Sequence, residues 1–94
     1  MEKGTFISNY FEHFKRVAFD NSIEPMLLEL SNLLKSANAK GNKVIFAGNG
    51  ASATIASHCA LDFTKQAGIR AMSFNDPAIL TAYGNDYGYE QWVA

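Results

Sequence analysis

Lys43-Val44-Ile45-Phe46-Ala47-Gly48-Asn49-Gly50-Ala51-Ser52 is the stretch on which the fold turns. Lys43 to Ala47 is a short apolar run bounded by Asn42 and Gly48, which predicts a strand buried on both faces. Gly48-Asn49-Gly50 predicts a tight turn, and the residues from Ser52 to about Lys65 read as a helix that Gly68 breaks. Arg70 to Phe74 reads as a second strand. Strand, glycine-rich turn, helix and strand in that order make a right-handed βαβ unit, hence parallel strands and an α/β fold. Beyond it, Asn75-Asp76-Pro77 predicts a turn into a short helix from about Ala78 to Tyr83.

Upstream the period is helical. Phe6, Tyr10, Phe14 and Val17 recur at spacings of three and four, predicting a helix from about Thr5 to Phe19. A second follows, with Ser22 as its N-cap, Pro25 in its first turn, and an apolar stripe through Ile23, Met26, Leu27, Leu30, Leu33, Leu34 and Ala37. Gly41 suits its C′ position. The first helix carries Phe6, Tyr10, Phe11 and Phe14, and Phe19 at its end, an aromatic surface that suits a subunit interface or burial against the second helix. The expected layout is a helical pair over residues 1–41 and a βαβ portion over 43–94, within one domain. Tyr89 to Val93 reads as the opening of a further helix. Two parallel strands make a poor sheet, so the expectation is the N-terminal part of a longer fold, or one completed by a partner chain.

Composition narrows the function. Ninety-four residues give at most one modest core, with about 5,400 Å² exposed out of roughly 15,000 Å² in the unfolded chain. Hydrophobic residues make up 48% and charged residues 18%, which is globular rather than disordered. Eight basic against nine acidic residues leave a net charge of −1, too little to attract nucleic acid or an anionic membrane. No apolar run approaches the ~20 residues of a membrane span. The single cysteine, Cys59, excludes an internal disulfide and a CxxC site. The expected setting is the cytoplasm.

Three clusters carry chemistry. The Gly48–Ser52 turn opens a helix whose first amides are unpaired, so a phosphate or carboxylate is favoured there, and Ser52 can either cap the helix or donate to that anion. The alternative is an ordinary βα turn. Gly48-x-Gly50-x-x-Ala53 also fits the dinucleotide pattern, with Asp76 as a late candidate for the ribose-holding acid. His58 and Asp62 share a helix face and suit a shared metal ion or an acid/base pair, or else a plain surface pair. Cys59, with Ile55 and Phe63, reads as part of a core-facing stripe. Gly84-Asn85-Asp86-Tyr87-Gly88-Tyr89 reads as a loop whose Asn85 and Asp86 bond sugar hydroxyls, or as an Asx-type turn capping the next helix.

Taken together, GNGAS at Gly48–Ser52, His58, Leu80-Thr81-Ala82 and GNDYGYE at Gly84–Glu90 resemble the first half of the sugar isomerase (SIS) domain, in its phosphoheptose isomerase branch. The resemblance covers about Lys43 to Val93. It implies a doubly wound parallel sheet in a flavodoxin-like three-layer sandwich, a homotetramer, and a sugar phosphate bound between subunits. The implied reaction interconverts sedoheptulose 7-phosphate and an aldose phosphate. Residue by residue, it implies that Asn49, Gly50, Ala51 and Ser52 contact substrate, together with Asn85 and Asp86. It also implies His58 as a zinc ligand and Asp62 as both zinc ligand and catalytic base.

Three departures follow from the same comparison. Ala51 stands where the family has a third glycine. Asp62 stands for a glutamate, and its shorter arm retracts the carboxylate by one C–C bond; a misplacement of about 1 Å can cost on the order of 100-fold in rate. The family's second phosphate loop and its later Gln and His fall outside these residues, so the 94-residue chain alone is expected to be inactive. Two other functions stay open: a non-catalytic sugar-phosphate-binding or interaction module, and a dinucleotide-binding oxidoreductase.

Overall fold

The computed structural model describes residues 2–94 and forms two compact units, Met1–Asn32 and Leu33–Ala94. In the first, α1 runs Lys3–Ala18, and a single 3-10 turn at Asn21–Ile23 leads into α2, Glu24–Ala39, whose last turns belong to the second unit. Phe19 is the C-cap of α1 rather than a member of the helix. Ser22 does not cap α2. It lies inside the 3-10 turn and gives its backbone N–H to Asp20 Oδ1 at 2.9 Å. Asp20 takes the capping role because its carboxylate reaches an amide two residues on, whereas an N-cap Ser22 would face Pro25, which has no N–H to give, three residues on. That bond holds the exposed Asp20 carboxyl below the usual carboxylate range. Phe6, Tyr10, Phe11, Phe14 and Phe19 are each more than half exposed.

The second unit is built on a parallel pair of strands, β1 (Val44–Phe46) and β2 (Ala71–Ser73), in the register Val44↔Ala71, Ile45↔Met72 and Phe46↔Ser73. Between them runs α3, Ala51–Lys65, so the predicted βαβ unit forms. α2 ends as expected at Gly41: Asn42 N–H reaches Ala37 O at 2.9 Å and Gly41 N–H reaches Asn38 O at 3.1 Å, the paired bonds of a Schellman terminus. That end is then tied to β2. Asn38 Oδ1 accepts from Arg70 N–H (3.0 Å), Asn38 Nδ2 donates to Gly68 O (3.3 Å), and the Arg70 guanidinium donates to Asn42 O (3.3 Å) and to Asn38 O.

Packing departs from the predicted pattern in three places. α3 turns Ala56 and Ala60 onto the strands, where they are buried, and Phe63 meets Phe46 at a 5.1 Å ring separation. Small alanines let helix and sheet approach closely. The expected Ile55–Cys59–Phe63 stripe therefore lies off centre: Ile55 is exposed and Cys59 half-buried. The strands are not buried on both faces. α3 packs against one, while Ile45 and Met72 on the other stay exposed, at 53% and 36%. The accessible surface, 7647 Å², accordingly exceeds the roughly 5,400 Å² anticipated for this mass.

The third departure is α4. It spans Pro77–Tyr87, not Ala78–Tyr83, so Gly84, Asn85, Asp86 and Tyr87 form its last turn instead of a loop. Asp76 starts it by accepting from Ala78 N–H at 2.8 Å, with Pro77 in the first turn. Gly84 is tolerated within the helix at a cost of about 1 kcal/mol relative to alanine, and the chain leaves α4 only at Gly88. No side-chain Asx cap forms there. A single 3-10 turn, Tyr89–Gln91, follows in place of the predicted helix opening. No helix among the described residues is long and apolar enough to cross a membrane.

Candidate functional site

The turn after β1 depends on two glycines for different reasons. Gly50 has φ 60 and ψ −128, a conformation that side-chain-bearing residues avoid. A Cβ on Gly48 would lie 2.9 Å from Ser52 Cβ and closer still to the Ser52 carbonyl. The chain thus folds back hard enough that Ser52 N–H reaches Asn49 O (3.1 Å) and Ala53 N–H reaches Gly50 O (3.0 Å). Two of the amides expected to face an anion are therefore closed within the turn as tight i→i+3 bonds. Ser52 neither caps α3 nor faces the cleft described below; Gly50 is the N-cap residue and supplies no side-chain bond.

That turn forms one wall of an open cleft of about 650 Å³. Gly48, Asn49, Gly50 and Ala53 line it on the α3 side; Leu80, Thr81, Gly84 and Asn85 line it from α4, with Tyr89 beyond. Of the predicted substrate residues, the fold brings Asn49, Gly50 and Asn85 together here. Ala51, Ser52 and Asp86 lie outside the lining. Asp86 instead accepts from Asn85 Nδ2 at 3.3 Å. Thr81 Oγ donates to Pro77 O at 2.6 Å, which leaves its lone pairs rather than its proton for a ligand.

His58 and Asp62 meet as their spacing requires, Nδ1 to Oδ2 at 2.9 Å, with both side chains well exposed. A carboxylate acceptor places the ring proton on Nδ1 and leaves the Nε2 lone pair outward, the form that binds a metal. The pair is separate from the cleft, however. At about 100° per residue, Asp62 falls on the side of α3 opposite the cleft-lining Ala53, and His58 about 140° away from it. Among the described residues no three His, Cys, Asp or Glu side chains converge. Two donors are one short of a zinc site, so these residues by themselves do not fit a closed zinc centre.

Two residues that shape the cleft, Asn75 and Trp92, are not among the expected site residues. Asn75, just after β2, donates from Nδ2 to Ala53 O (2.5 Å) and Ser57 Oγ (2.9 Å), while its neighbour Asp76 caps α4. This dipeptide holds the α3 wall with one side chain and starts the α4 wall with the next. Asn75 Oδ1 is buried without a partner. Trp92, only 7% exposed, donates its indole N–H to Asn49 Oδ1 at 2.6 Å across 43 positions. The sequence signal, a lone tryptophan whose N–H must be satisfied when buried, says nothing of which acceptor it finds. Asp76, the candidate ribose acid, uses Oδ1 to cap α4.

The chain matches no protein-family model. It is similar to curated proteins named phosphoheptose isomerase: 36% identical over 97 residues to that of Burkholderia pseudomallei, covering 93% of this chain and 49% of that protein. It is 36% identical over 86 residues to phosphoheptose isomerase 2 of Campylobacter jejuni, covering 85% and 43%. With the Nitratidesulfovibrio vulgaris protein it shares 39% over 71 residues, covering 69% and 34%. The chain thus spans about half, or less, of the length of these relatives.

Proposed function

Because the chain belongs to the phosphoheptose isomerase family, we propose that its cleft binds a sugar phosphate and that it supplies one half of an aldose–ketose isomerase acting on sedoheptulose 7-phosphate. The observation that carries this reading is the convergence of the Gly48–Gly50 turn and the α4 residues Thr81, Gly84 and Asn85 on a single cleft. Asn49 and Asn85 serve as polar contacts to the sugar phosphate, and Gly50 lets the ligand approach the backbone. Ala51, Ser52 and Asp86 remain substrate-side residues of the reading, reached only if ligand or partner extends past the cleft.

The reaction moves a proton between C1 and C2 of the open-chain sugar. Asp62 is the group proposed to take it, and His58 and Asp62 are this chain's share of a zinc site whose other ligands come from outside these residues. Zinc, when bound, supplies charge stabilisation to the developing oxyanion. The position of the pair on the far side of α3 from the cleft favours a site assembled between subunits. The exposed aromatic face of α1 supports a homo-oligomer, proposed as a tetramer. The uncovered Ile45–Met72 face supports continuation of the sheet into a doubly wound SIS-type sandwich. The proposed setting is the cytoplasm.

A second reading, a non-catalytic sugar-phosphate-binding module, draws on the incomplete ligand set and the short Asp62 arm. Asp62→Asn in the complete protein separates the two. The isomerase reading expects turnover of sedoheptulose 7-phosphate to vanish with binding retained. Absence of zinc and turnover in the unsubstituted complete protein, with binding intact, supports the module. Lack of any shift at Asn49, Gly50 or Asn85 on titration with the sugar phosphate refutes both.

A further inference from the structure

We propose that Trp92 is a positioning residue that fixes the polarity of Asn49 and thereby makes the turn selective for acceptor oxygens. The inference rests on the reading of Asn49 as a ligand contact and goes beyond it by assigning what sets that contact. An indole N–H is only a donor, so the Asn49 atom facing it at 2.6 Å is necessarily the carbonyl oxygen; the usual ambiguity between the two ends of an amide does not arise. Asn49 Oδ1 is thereby occupied, and both Nδ2 hydrogens are left over. Among the described residues nothing accepts from Nδ2.

The two partners stand in different surroundings. Asn49 lines the cleft, whereas Trp92 lines a second groove together with Ile45 and Phe74. Trp92 reaches through to Asn49 from that side and does not itself line the cleft. A 93% buried indole has little freedom to turn away, so the amide stays oriented before any ligand arrives. The turn's own donors are depleted, since Ser52 and Ala53 N–H bond back to Asn49 O and Gly50 O. Asn49 Nδ2 therefore becomes the principal side-chain donor of this wall. The ligand atom that meets Asn49 Nδ2 must be an acceptor, such as a phosphate or sugar oxygen.

The Trp92 indole N–H is the resonance to follow in the ¹⁵N-labelled complete protein. Inorganic phosphate and sedoheptulose 7-phosphate are titrated separately, which distinguishes recognition of phosphate alone from recognition of the sugar. Binding should move the Asn49 side-chain amide pair, and Trp92→Phe, which keeps a ring but removes the donor, should weaken affinity by about tenfold, the equivalent of roughly 1.4 kcal/mol. Equal affinity in W92F and the unsubstituted chain overturns the role of Trp92 while leaving the ligand site standing. Absence of binding by the complete unsubstituted protein overturns the ligand reading and this proposal with it. Should W92F fail to fold, hydrogen exchange at the indole decides: N49D retains an acceptor and should keep the N–H protected, whereas N49A should expose it. Exchange as fast in the unsubstituted chain as in N49A overturns the proposal.

Discussion

Gly48→Ala tests the turn on which the candidate site is built. The new methyl would sit 2.9 Å from Ser52 Cβ and nearer still to the Ser52 carbonyl carbon and oxygen, where 3.4–4 Å is ordinary contact. These are first-turn atoms of α3, not the free end of a flexible side chain. The backbone must therefore move by several tenths of an ångström or more. That first turn is held by Ser52 N–H to Asn49 O, Ala53 N–H to Gly50 O, and Asn75 Nδ2 to Ala53 O. Overpacking alone costs about 1–3 kcal/mol, and loss of the two turn bonds adds about 1 kcal/mol each. The expected destabilisation is about 3–5 kcal/mol, a fall of roughly 12–40 °C in Tm for a chain of this size. The buried Trp92 provides the probe, its fluorescence reporting unfolding of the unit that contains the turn. Gly50→Ala is the control: its Cβ meets nothing within 4 Å, so only backbone strain of about 1–3 kcal/mol opposes it. A G48A transition within ~1 kcal/mol of the parent, or G50A the more damaging of the two, would show that the close approach does not hold the turn.

Three further outcomes are expected. Asp76→Ala removes the 2.8 Å cap of α4 and should cost about 1 kcal/mol, read as a lower denaturation midpoint with unchanged m-value, while Asp76→Asn retains most of the stability. Arg70→Met removes the guanidinium from the carbonyls at the end of α2 and should cost about 1 kcal/mol, with amide exchange quickening at Gly41 and Asn42. The Asp20 carboxyl, lowered by its bond from Ser22 N–H, contributes stability that is fully present above the unfolded carboxylate range near pH 4 and is lost as pH falls through its own lower value. Carbon-detected titration should find it below the ordinary carboxylate value, and Asp20→Asn should abolish that part of the acid dependence.

What could be read from the chain in advance was local. The β1–turn–α3–β2 order followed from an apolar run, paired glycines and a change of period, all within 30 residues. The Schellman end of α2 at Gly41 and the His58–Asp62 pair followed from backbone preference and from the four-residue return of a helix face. The misreadings were also local in origin. Gly84 and Gly88 bracket Asn85 and Asp86 as a loop would be bracketed, yet Gly84 is carried inside α4 because the Asp76–Pro77 start and the residues around it favour continued helix. Ser52 looked like a cap because it sits near a helix start, but Gly50 takes that position once the chain folds tightly.

Only the tertiary structure determined which of these groups share a site. Asn49 and Asn85 line one cleft because β1 and β2 run parallel, so the chain enters α3 and α4 from the same end of the sheet, whereas His58 and Asp62, nearer in sequence to the turn, rotate to the other side of their helix. The bond from Trp92 to Asn49 joins residues 43 positions apart, beyond any periodic signal. Periodicity tells which residues share a face of one helix or strand. Which faces of different elements confront one another depends on side-chain volume and on closing long stretches of chain, and here the close fit of Ala56 and Ala60 against the strands set that arrangement.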